Sequence, residues 1–98
     1  DYYPLTGYSL EEDVWMAWQF DLPEPGRGVI QCFRRPHSPY ESARFRLHGL
    51  NPDKEYDLTD LDTGQTLRLS GQVLLDDGVP VAANSRPAAV VITYLRLD

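Results

Sequence analysis

From Ala43 to Leu47 the side chains alternate strictly, with Ala43, Phe45 and Leu47 set against Arg44, Arg46 and His48. A period of two is satisfied by an extended strand with one face in a core and the other in water. The turn residues that follow divide the next stretch. Gly49, Asn51 and Pro52 form a turn, because proline presets its own φ and pushes the residue before it out of the helical region. A second strand begins near Glu55 with Tyr56 and Leu58 on one face. It ends at Asp62-Thr63-Gly64, where glycine can take the positive φ that closes a tight hairpin into Gln65 to Leu69. The spacing predicts a β-meander of three strands over Ser42 to Ser70.

The flanking segments continue in the same way. Asp13 to Phe20 sets Val14, Met16, Trp18 and Phe20 against Trp15, Ala17 and Gln19, which predicts a strand buried on both sides or nearly so. Two prolines and two glycines make Leu22 to Gly28 a loop. Gly28 to Arg34 then completes a hairpin, with Val29, Gln31 and Phe33 alternating against Ile30, Cys32 and Arg34. Arg35 to Glu41 is a second loop. Val73, Leu74 and Leu75 precede an Asp76-Asp77-Gly78 turn signature, and Val79 and Val81 suggest a short strand that Pro80 confines to an edge. Ala88 to Leu97 is apolar on both faces and reads as a central strand. No segment shows a 3.6-residue period. The expected fold is all-β, an antiparallel β-sandwich of seven to eight strands in a single domain over residues 13–98, with residues 1–12 as a linker or interdomain segment.

Composition excludes several functions. A formal charge of −6 on 98 residues provides no basic face for a phosphate backbone, so nucleic acid is not an expected partner. No apolar run approaches the ~20 residues that span a bilayer, which points to a soluble domain with no membrane partner and leaves its compartment open. The single cysteine, Cys32, lies inside an apolar strand and is expected to be a buried small hydrophobe. Asp1 begins without a methionine or a signal-peptide pattern, so the chain is expected to be a piece of something longer.

Six segments carry a resemblance. Ala43-Arg-Phe-Arg-Leu-His-Gly-Leu-Asn-Pro-Asp-Lys-Glu-Tyr56 is followed by Thr59-Asp-Leu-Asp-Thr-Gly64, Ser70-Gly-Gln-Val-Leu74 and Gly78-Val-Pro-Val81. Upstream stand Asp13-Val-Trp-Met-Ala-Trp-Gln-Phe20 and Gly28-Val-Ile-Gln-Cys-Phe-Arg-Arg-Pro36. In this order they resemble the C-terminal β-sandwich of family 36 glycoside hydrolases, the alpha-galactosidases of the melibiase type. The resemblance covers nearly the whole chain. It implies a sandwich that follows a (β/α)8 barrel carrying two catalytic aspartates, and such a barrel alone needs ~250 residues. Barrel and aspartates therefore lie outside this chain, and no catalytic residue is assigned to it.

The chemistry of the residues agrees with that expectation. A glycosidase needs two carboxylates held ~5 to 9.5 Å apart in a cleft. Here Glu11-Glu12-Asp13, Asp60 with Asp62, and Asp76-Asp77 fall at turns or strand ends, where acids solvate loops or cap turns. His37 and His48 lack the close partners of a metal site, and Asp76-Asp77-Gly78 would hold calcium only if further oxygens converged on it. No metal or cofactor is expected. Arg34, Arg35, Arg44 and Arg46 are expected to pair with acids on a wet sheet face. The aromatic residues remain. Tyr2, Tyr3, Tyr8, Trp15 and Tyr40 are candidates for interdomain or sugar contact, while Trp15 and Trp18 lie on opposite strand faces and cannot form one platform. The leading expectation is a non-catalytic accessory domain packing against its own catalytic barrel. The alternative is a carbohydrate-binding module that contacts glycan through surface aromatics, and an enzyme is a weaker third reading.

Overall fold

The computed structural model describes residues 2–5, 15–22, 24, 26–34, 42–82 and 88–97. Within these the chain runs β1 (Tyr2–Pro4), β2 (Trp15–Leu22), β3 (Arg27–Arg34), β4 (Ser42–Phe45), β5 (Glu55–Asp60), β6 (Thr66–Ser70), α1 (Gly71–Asp76), β7 (Val79–Ala82) and β8 (Ala88–Leu97). Six strands form one antiparallel sheet in the order β1-β2-β3-β8-β5-β6, and β4 pairs with β7 in a second sheet. One core joins them. Ile30, Leu58, Ile92 and Tyr94 from the large sheet are buried in the same cluster as Phe45, Val79 and Val81 from the small one, with Leu47, Leu50 and Leu74 between. This is the all-β sandwich that the alternation predicts, and β8 is central, flanked by β3 and β5.

Four local expectations need correction. The three strands of Ser42 to Ser70 are not a meander, because β4 pairs with β7 and leaves β5 to pair with β8 and β6. Residues 46–54 carry the chain from one sheet to the other. Second, Gly71–Asp76 is helical. Its inward positions Gly71, Leu74, Leu75 and Gly78 do follow helical spacing, but only two of them are large and apolar, so the period is faint. The helix starts because the Ser70 hydroxyl oxygen accepts from the Val73 N–H at 3.1 Å, satisfying a donor that the first turn leaves free. Third, β2 is fully buried on one side, at Trp15, Ala17, Gln19 and Asp21, while on the other Met16 and Trp18 are half-buried and Phe20 and Leu22 exposed. Finally, Arg34 shares its register parity with Ile30 and Cys32 and is drawn inward, 2% exposed, so it does not sit on a wet face.

Tyr2–Pro4, inside the stretch read as a linker, is hydrogen bonded to β2 with Tyr2 opposite Phe20 and Pro4 opposite Trp18. Replacing Ser70 with alanine is expected to lower stability by about 1 kcal/mol through loss of the cap. The urea midpoint should fall with the m-value unchanged, because the surface exposed on unfolding is the same.

Candidate functional site

The outward side of the six-stranded sheet exposes large apolar side chains that the core does not explain. Strand register aligns one residue from each strand into a continuous row: Tyr2, Phe20, Val29, Thr93, Thr59 and Thr66. Half of this row is aromatic or aliphatic and half carries threonine hydroxyls. A second row runs Leu22, Arg27, Leu95, Asp57 and Arg68. Trp18 and Met16 continue the apolar half farther along β2. Tyr2 is 52% exposed, Phe20 42%, Leu22 50% and Leu95 49%, and the Tyr2 and Phe20 rings meet at 5.0 Å. Between the rows lies a shallow concavity of about 870 Å³.

The polar side chains beneath this face are committed to holding it. Gln19 clamps the backbone of His48, its Oε1 accepting from the His48 N–H and its Nε2 donating to the His48 carbonyl, both at 2.8 Å. The same Nε2 donates to Tyr94 Oη at 2.8 Å, and the Tyr94 hydroxyl donates to Asp21 Oδ1. Burial, reinforced by that bond to Asp21, pushes the Tyr94 phenol well above its usual range. Tyr3 points inward and stacks on His48, with ring centroids 5.0 Å apart. These groups fasten the 46–50 connection and β1 to β2, and their own polar atoms are spent inside the domain. Neither Gln19, Asp21 nor Tyr94 was marked by motif; the only signal was a polar pair on the side of β2 that otherwise carries Trp15 and Ala17.

The predicted contact residues do not converge. Tyr2 is on the outward face and Tyr3 on the inward one. Trp15 is 7% exposed and packs on Phe45 at 6.1 Å within the core cluster. Tyr8 and Tyr40 lie outside the described residues, as do His37, Arg35 and Glu11 to Asp13. Asp60, at the mouth of a second concavity of about 550 Å³ between the sheets, uses Oδ1 to accept from the Asp62 and Thr63 N–H groups. That is a turn-closing role. His48 is exposed, in the connection that follows β4 and not on a strand, and among the described residues no three histidine, cysteine or acidic side chains cluster as a metal site would require. No helix among these residues is long and apolar enough to cross a membrane.

Cys32 is buried in β3, and burial, with the Asp60 charge adding to it, pushes its thiol up to about 12. The unfolded chain releases this proton near 9.0 while the folded one keeps it, so stability falls as pH rises above about 9 and goes on falling toward about 12. Tyr94 acts in the same direction. Urea midpoints between pH 7 and pH 11 should show the decline, and Cys32→Ala should make it shallower. In the native state at pH 8, Cys32 should resist a thiol reagent until urea is added.

Comparison with known proteins agrees with this arrangement of sheets and helix. The profile described as "Glycosyl hydrolase family 36 C-terminal domain" matches residues 15–94. The chain belongs to this family. Solved structures with the same fold include the galactosidase domain of the alpha-galactosidase-sucrose kinase AgaSK, at 22% identity and a TM-score of 0.74. Two alpha-galactosidases from Geobacillus stearothermophilus are similar: AgaA, solved with raffinose, at 18% and 0.75, and AgaB at 21% and 0.73. In each case the alignment covers 98% of this chain and 13% of the other. The chain thus spans about an eighth of the length of those proteins. A search of curated protein sequences finds no match.

Proposed function

We propose that this family 36 C-terminal domain is a non-catalytic accessory domain of a glycosidase that acts on alpha-galactosides, packing on and supporting a catalytic (β/α)8 barrel elsewhere in the same polypeptide. The observation that carries the reading is the coverage: end to end, the chain corresponds to 13% of alpha-galactosidases whose remaining length is ample for a barrel of ~250 residues. The side chains support it. Asp60 is engaged in turn closure and Asp57 in an ion pair with Arg68, and each is the one acid lining its concavity, where a glycosidase needs a pair.

The test compares the polypeptide that contains the barrel with a version lacking residues 15–97. Deletion should lower the barrel's melting temperature and its soluble yield, while residues 1–98 by themselves should leave a nitrophenyl alpha-galactoside intact. Hydrolysis by the purified 98-residue chain, or a deletion with no effect on the barrel, would overturn the proposal.

A further inference from the structure

We propose that the outward face of the six-stranded sheet, centred on Phe20, Leu22, Val29 and Leu95, is the surface on which the catalytic domain of the same polypeptide docks. This inference rests on the accessory-domain reading above and adds the face and the chemistry of its partner. Extent argues for a protein surface. Six strands spaced about 4.8 Å apart, crossed by the eight residues of β2 at about 3.3 Å each, give a footprint on the order of 600 Å². That is the scale of a small interdomain contact. A sugar ring would cover only a corner of it, and the apolar half offers a ring no convergent polar groups.

Charge argues the same way. On a chain of net charge −6, β1, β2 and β8 present no charged side chain outward. The centre of the face has the depletion that distinguishes the buried core of an interface. Apart from Arg27 on β3, its charges gather at one side, where Arg68 Nε donates to Asp57 Oδ1 at 2.9 Å and Glu55 lies close enough to add to the field on Arg68. Arg27, between Leu22 and Leu95, is exposed and has no ion pair among the described residues. The complementary surface is therefore apolar, with a carboxylate placed to meet Arg27. The opposite side of the domain has another character, with Arg44, Arg46 and His48 exposed.

The experiment uses the full polypeptide with one reporter cysteine at a time: Leu22→Cys or Leu95→Cys on the proposed face, and Arg46→Cys on the opposite side. Cys32 is buried and silent in the folded state. Labelling by N-ethylmaleimide is timed in the native protein and again in urea. Leu22→Cys and Leu95→Cys should react at least about 100-fold more slowly in the native protein, where reaction waits on domain opening, while Arg46→Cys reacts at close to its unfolded rate. All three positions are exposed in the isolated domain, so circular dichroism should show an unchanged fold. Protection of Arg46→Cys with free reaction of the other two overturns the choice of face and leaves the accessory reading standing. Rapid labelling at all three sites overturns both. Protection that is lost on dilution, as sedimentation shows dimers separating, assigns the face to a second copy. Protection that appears only when raffinose is added assigns it to glycan. Either of these last two results also overturns the proposal.

Discussion

Replacing Gly28 with valine is expected to destabilise the domain by about 3 to 5 kcal/mol, a large part of the 5 to 15 kcal/mol that holds a typical domain together. Gly28 lies opposite Asp21 on β2 and opposite Tyr94 on β8. The Tyr94 ring crosses over residue 28, which lets its hydroxyl reach Asp21 and Gln19 on the strand beyond. A Cβ at this position would overlap both the Phe20 carbonyl oxygen and the end of the Tyr94 phenol. The backbone oxygen cannot move without opening the β2–β3 ladder, and the phenol cannot move without abandoning two buried hydrogen-bond partners. Strain and unpaired polar groups therefore add. Thermal unfolding should begin at least about 12 °C lower, at 4 to 8 °C per kcal/mol for a domain of this size. A midpoint within about 1 kcal/mol of the parent would show that Tyr94 has another place to go, and the description of the network would then be wrong.

Substituting leucine for Gln19 is the second large expected loss, about 2 to 4 kcal/mol. Leucine fills a similar volume but supplies neither donor nor acceptor. The His48 N–H, the His48 carbonyl and Tyr94 Oη each lose a partner at 2.8 Å. The loss should be structural as well as energetic, since the clamp brings the 46–50 connection against β2 and sets His48 beneath the Tyr3 ring. In amide hydrogen exchange, the His48 N–H should lose protection in Gln19→Leu before the β3–β8 ladder does. Equal protection in mutant and parent would show that the backbone of residue 48 is held by something other than Gln19.

These residues mark the limit of what could be read in advance. Alternation correctly separated Phe45 and Leu47 from Arg44, Arg46 and His48, paired Tyr56 with Leu58 in the core, and set Trp15 and Trp18 on opposite sides of one strand. The Gly64 turn was legible as well, with φ at 75° where a side chain would be strained. The helix was hidden because its inward face consists of two leucines between two glycines. The polar network was hidden because Gln19 and Tyr94 are 75 residues apart, and nothing local tells a glutamine that will meet a buried phenol from one that will meet water.

The sequence by itself determined the fold class, the positions of most strands and which side chains share a face, because a period of two is a property of a few neighbouring residues and of the covalent pleat. Strand partnership was decided in three dimensions. β4 left its sequence neighbour for β7, β8 was placed between β3 and β5, and one apolar side of β2 was covered while the other, with Phe20 and Leu22, was left open. Ladder hydrogen bonds are alike at every register, so choosing among partners depends on burying the whole core at once around Ile30, Leu74 and Tyr94. The outward row exists for that reason: its residues are spread from Tyr2 to Thr93 and become neighbours only when the six strands lie side by side.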